Sequence, residues 1–140
     1  MLKFNELKKG DYVIADFAGN KHVGMVTGLM PTAQDVCINN GVQEFWFSPK
    51  DLTAVDITDE ELDRLKFKKQ TNEDGTIKYM KGAFRMVTPG VGNFEKMEIW
   101  YRDEKRHIQQ PIKLHQLQNH FYEMTKVHLN QCSFLMDSSA

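Results

Sequence analysis

His115, Asn119 and Tyr122 fall four and then three residues apart in the string Ile112 to Leu129, IKLHQLQNHFYEMTKVHL. A helix puts them on one line. An imidazole, a carboxamide and a phenol so placed can form a polar binding site. They can equally tie the helix to backbone groups of a sheet, as buried polar side chains must. The structural role takes precedence, and the three residues stand as candidate binding residues beside it. His115, His120 and His128 raise the question of a metal. His115 and His120 are five apart, which turns them about 140° from each other on a helix. The chain has no His-Glu-x-x-His or Cys–His pattern, so neither metal nor cofactor is expected. Cys37 lies between apolar neighbours with no base in view, so its thiol should be a small buried hydrophobe rather than a nucleophile. Thr88 to Asn93, TPGVGN, is glycine-rich but lacks a following Lys-Ser/Thr and a helix, so it reads as a hairpin turn, not a phosphate loop. No set of acid, base and nucleophile argues for catalysis.

Two further groups could bind. Phe45-Trp46-Phe47 and Trp100-Tyr101 are aromatic runs whose alternate residues must face opposite sides of a strand. Most of these rings should be core, and Trp46 is the candidate outward anchor. Lys66, Lys68 and Lys69, with Lys78 and Lys81, make a local basic cluster. A solvated face is its ordinary explanation. Nucleic-acid binding there would weaken steeply with salt.

The elements that must position these groups follow from the periodicity. Leu114, Leu117, Phe121 and Met124, three, four and three apart, form one buried helical stripe. Pro111 suits the first turn. Burying four such side chains is worth about 6–12 kcal/mol as an upper bound, comparable to a domain's net stability. The helix alone would be marginal, so it must dock on a sheet.

The sheet is sought upstream. Gly10-Asp11 marks a turn, and strands are expected over Tyr12–Phe17, His22–Leu29, Asp35–Ile38, Val42–Phe47 and Thr53–Ile57. Gly24 and Gly28 imply a bulge or bend, and Asn40-Gly41 a hairpin. Five short bent strands, with a helical turn at Pro49–Leu52 before the last, describe a small SH3-like barrel.

Thr58 with Glu61 is a capping box opening a short helix that buries Leu62 and Leu65. Lys68 to Thr76 should be an exposed loop or hairpin tip. Strands follow over Ile77–Val87 and Phe94–Tyr101, then a charged turn at Arg102–Arg106 and a last strand at His107–Gln109. Phe134-Leu135-Met136 could dock and the final four residues should fray. The expected class is α+β, with an SH3-like lobe over 1–57 and an antiparallel sheet packed on one long helix over 58–140, sharing one core.

Composition narrows the class further. The chain has 140 residues, 41% hydrophobic and 11% aromatic, as a folded globular protein does. A formal net charge of −1 argues against a general nucleic-acid binder. The two cysteines, Cys37 and Cys132, show no metal or disulfide spacing. There is no apolar run of membrane-spanning length and no secretory signal at the start, so a cytoplasmic location is expected.

Leu114-His115-Gln116-Leu117-Gln118-Asn119, followed by Phe121-Tyr122, resembles the C-terminal helix of a group of small proteins of gut bacteroidete genomes and prophages. Members of that group have an SH3-like start. Val55 to Phe67, VDITDEELDRLKF, is similar to their middle phrase, and Leu7 to Val13 to the opening of many SH3-like barrels. The sequence departs from the family at Lys126, where a helix-ending Gly is usual, and at Lys66-Phe67, where a Gly usually separates two aromatics. The resemblance implies fold and a mobile-element context, and carries no activity. The expectation is a non-enzymatic binding or accessory protein with a protein partner. Nucleic-acid binding through the local basic patch is the second reading and a small enzyme the third. Self-association through an edge strand is also open.

Overall fold

A computed structural model describes residues 2–129. Cys132, Phe134–Met136 and the chain end therefore lie outside the described residues. The class is α+β: two antiparallel five-stranded sheets and one long helix. The chain divides into two units. One runs to Asp56 and adds Lys113–Asn119; the other comprises Ile57–Ile112 and the chain from His120.

The first unit contains β1 (Tyr12–Phe17), β2 (Asn20–Met30), β3 (Asp35–Asn39), β4 (Glu44–Phe47) and β5 (Thr53–Ala54). They form an open sheet in the order β4-β3-β2-β1-β5. Thr53–Ile57 was expected as one strand. Only Thr53 and Ala54 pair with β1, because the chain then turns to the start of the long helix, where Asp56 bridges Lys113 and the Val55 carbonyl accepts from Leu114 N. Ala18-Gly19, both at positive φ, turns β1 into β2. The bulge foreshadowed by the glycines falls between Val26 and Gly28. Val13, Ala15, Val26, Val36, Ile38 and Leu52 make the core. Gly24 is required by close packing. A Cβ there would lie 2.4 Å from Ile38 Cγ2 and 3.0 Å from the Asn39 carbonyl oxygen.

The second unit opens with α1 (Asp59–Arg64). Thr58 Oγ1 accepts from Glu61 N at 3.2 Å, as its spacing anticipates. Then β6 (Lys68–Thr71), β7 (Ile77–Lys81), β8 (Phe84–Thr88), β9 (Met97–Tyr101) and β10 (Glu104–Ile108) meander in the order β10-β9-β8-β7-β6. Three expectations need correction. The charged turn expected over Arg102–Arg106 is confined to Arg102-Asp103, because Glu104, Lys105 and Arg106 already pair with Tyr101, Trp100 and Ile99 as the start of β10. Ile77–Val87 is two strands, reversed at Gly82, which has φ +60°. The polar stretch after Phe67 contains β6, all of whose residues are exposed, so no apolar alternation marked it. Ile77, Tyr79, Phe84, Met86 and Ile99 are buried, and Leu62 and Leu65 of the α1 region are buried too.

The long helix, α2, spans Leu114–Thr125. Its stripe residues Leu114, Leu117, Phe121 and Met124 are all buried. In the second unit the Phe121 ring packs on Phe84, centroids 4.7 Å apart. Both helices end on a lysine in the left-handed region, Lys66 at φ +70° and Lys126 at φ +63°. Behind α1 the Phe67 N–H reaches the Leu62 carbonyl at 3.1 Å and the Lys66 N–H reaches Asp63 at 2.9 Å, a Schellman ending.

Candidate functional site

The most specific string of the sequence has a hydrogen-bond role at nearly every position. Within the first unit, the Leu114 N–H donates to the Val55 carbonyl at 2.8 Å. Gln116 Oε1 accepts from Lys113 N at 2.7 Å, capping the helix from inside. His115 Nε2 lies 3.2 Å from Glu6 Oε2. Asn119 Nδ2 donates to the Glu6 carbonyl at 3.0 Å. Gln118 Nε2 donates to the Gly10 carbonyl and its Oε1 accepts from Tyr12 N, both at 2.8 Å. Positions 115, 118 and 119 share a helix face by their i, i+3, i+4 spacing, so all three reach the segment 6–12 that leads into β1.

That segment also buries a charge. The Asp11 side chain is inaccessible to solvent, accepts from Lys8 N at 3.0 Å and pairs with the Lys8 ammonium. Burial pushes its carboxyl above the ordinary value, with the neighbouring Lys8 and His115 opposing. His115 is buried, and its Nδ1 has no hydrogen-bond partner among the described residues. It lines a cleft of about 440 Å³ with Leu2, Glu6, Leu52, Lys113 and Gln116. A histidine–carboxylate pair orients an imidazole. A covalent mechanism would further need a hydroxyl or thiol bonded to it, and the bond His115 makes among the described residues goes to Glu6.

The Tyr122 ring stacks on His128, centroids 4.5 Å apart, within the second unit. His120 has its own setting there: Arg106 Nη1 lies 2.8 Å from His120 Nδ1 and 2.7 Å from Glu123 Oε1. Burial first, then the Arg106 charge, holds the His120 imidazole below its ordinary pKa. Among the described residues no group of three or more His, Cys, Asp or Glu is placed to hold a metal ion.

Trp46 is 51% exposed and Phe45 40% exposed on β4, an outermost strand of its sheet. The indole lies across Gly28, where a Cβ would come 3.5 Å from Trp46 Cη2. Phe45 and Phe47 face the other way, onto the Phe17 ring at 5.6 and 5.5 Å. Cys37 is buried and free.

The lysines read as one cluster are separated by strand alternation. Lys69 pairs with Asp59 at 3.4 Å. Lys81 Nζ donates to the Leu65 carbonyl at 2.6 Å, and burial lowers its pKa. Lys66 occupies the turn after α1. Lys68 and Lys78 face the other side of the sheet, because they pair with Met80 and Val87 rather than with the buried row of Tyr79 and Met86. On that outer side they meet Arg85, Trp100 and Lys105, a group the sequence reading did not assemble. Its signal was there in the alternation of β7, β8 and β9, but three registers are needed to superpose it. Gln118 was also passed over; it lies four residues after Leu114, on the edge of the buried stripe.

No helix among the described residues is long and apolar enough to cross a membrane. No family model, curated protein or solved structure matches the chain.

Proposed function

We propose that the chain is a non-enzymatic binding protein that docks a protein partner along β4, with Trp46 as the anchor. The observation that carries this is the exposure of Trp46, 51%, on a strand that among the described residues has a neighbour on one side only. An outermost strand presents unpaired backbone N–H and C=O groups, and a partner segment can add to it as a further strand. Phe45, Met30 and Val42 add exposed apolar surface in the same unit. A half-exposed Trp amid such residues is the usual composition of an interface hot spot. The five antiparallel strands of this unit support an SH3-like lobe in the proposal. The resemblance of the HQLQN helix adds a role as an accessory protein of a mobile element or its host, acting in the cytoplasm.

Affinity capture from the native cytoplasm tests this with wild type and Trp46→Ala in parallel. A partner retained by the first and lost by the second, and protecting Glu44–Phe47 amides from hydrogen exchange, supports the proposal. A capture profile indifferent to Trp46→Ala overturns it. Light scattering at two concentrations identifies the case in which the partner is a second copy of the chain.

A further inference from the structure

In the second unit, the sheet β6–β10 has one buried and one open face. Directly paired residues of antiparallel strands share a face, so the registers define the open one. One row across it reads Gln70, Lys78, Val87, Glu98 and His107; the next reads Lys68, Met80, Arg85, Trp100 and Lys105. Trp100 is 40% exposed. A cleft of about 580 Å³ opens on this face, lined by Lys78, Arg85, Lys96 and Trp100 among others.

We propose that this open face binds single-stranded nucleic acid, with Trp100 stacking a base and Lys68, Lys78, Arg85, Lys96 and Lys105 meeting the phosphates. Charge selects an anionic occupant. Five cations stand against two carboxylates, Glu98 and the cleft residue Asp74, in a chain whose formal net charge is −1. Glu98 already holds Lys105 Nζ at 3.9 Å, so with that pair set aside Lys68, Lys78, Arg85 and Lys96 stand against Asp74 alone. The ring selects the kind of anion. An exposed indole among cations favours a nucleic acid among anions, because every nucleobase has a face to stack on it. Lys105 Nζ rests 4.8 Å from the Trp100 ring centroid. An exposed cation–π contact of that kind is weaker than base stacking, so an arriving base displaces the ammonium toward the adjoining phosphate. Five strands span about 19 Å at ordinary strand spacing, room for a short run of nucleotides. An open sheet admits an unpaired strand whose bases can turn toward it, while a duplex keeps its base faces stacked internally.

Fluorescence anisotropy of a labelled single-stranded oligonucleotide of about 12 nucleotides tests this on the full chain. Binding is expected at about 50 mM salt, with log K falling linearly against log salt at a slope of up to about −3.5 for five neutralised phosphates. The double variant Lys78→Ala/Arg85→Ala should reduce that slope by roughly 1.4. Trp100→Leu should weaken binding about tenfold or more and leave the slope in place. Circular dichroism shows that the variants are folded. Quenching of Trp100 fluorescence by the oligonucleotide, read in a Trp46→Phe background, supports stacking in an unaltered face. Absence of binding at low salt overturns the proposal, as does no response to either variant. Equal affinity for a duplex of the same length, or equal competition by polyglutamate, overturns it as well.

Discussion

The Gln118 amide clasps the backbone on both sides of Asp11: its Nε2 donates to the Gly10 carbonyl and its Oε1 accepts the Tyr12 N–H, each at 2.8 Å. Both ends are buried, so replacing the side chain removes two bonds that water cannot readily supply. Gln118→Leu, apolar and of similar size, is expected to cost about 1–3 kcal/mol in urea denaturation. Gln118→Glu keeps the acceptor, loses the donor and buries a charge, so it should be at least as destabilising. A variant as stable as wild type would show that the clasp contributes nothing.

Lys66 and Lys126 sit at φ +70° and +63°. A side chain there pays a steric cost that glycine does not, partly offset by the greater freedom of glycine in the unfolded chain. Lys66→Gly and Lys126→Gly are each expected to stabilise by about 0.5–1 kcal/mol, seen as a rise of a few degrees in Tm. Lys66→Gly carries an extra gain, since the Lys66 charge is one of the two influences that depress Lys81.

Gly24→Ala should destabilise by about 1–3 kcal/mol, because Ile38 Cγ2 and the Asn39 carbonyl must both give way. Gly28→Ala should cost less, its nearest neighbour being Cys37 Cβ at 3.3 Å. Chemical denaturation of the two variants side by side checks the order. The reverse order would contradict the packing at β2.

His120 provides the pH dependence. Burial and Arg106 depress its folded pKa below the ordinary 6.5, against a smaller opposing pull from Glu123. The unfolded chain therefore binds the proton first as pH falls. The stability that His120 contributes is complete above about pH 6.5 and is lost as pH falls toward and through the depressed value. His120→Asn keeps an acceptor for Arg106 and cannot titrate. Wild type should lose stability relative to this variant between about pH 7.5 and pH 5, measured by urea denaturation at each pH. A constant difference would refute the assignment.

What the sequence made legible is local. The stripe Leu114, Leu117, Phe121 and Met124, the Thr58 cap and the turn at Gly10-Asp11 each follow from residues a few positions apart, where spacing and propensity act directly. β6 was not legible, because Lys68, Lys69, Gln70 and Thr71 are all exposed and held in the sheet by backbone bonds alone. Ile77–Val87 read as one strand because alternation continues on both sides of Gly82. The partners of the candidate site lie further away still. Glu6 is 109 residues from His115, and nothing in a one-dimensional pattern pairs them. Trp46 was singled out by its neighbours; Trp100 became a candidate only when register aligned it with Arg85 and Lys105.

The first unit takes in residues up to Asp56 and then seven more from Lys113 onward. A ribosome must therefore add 56 further residues, Ile57–Ile112, before it makes the piece that reaches Gly10 and Tyr12. Until then the nascent first sheet waits with the Gln118 bonds unmade, and these latest contacts span 106 and 108 positions. Closure over such separations is slow.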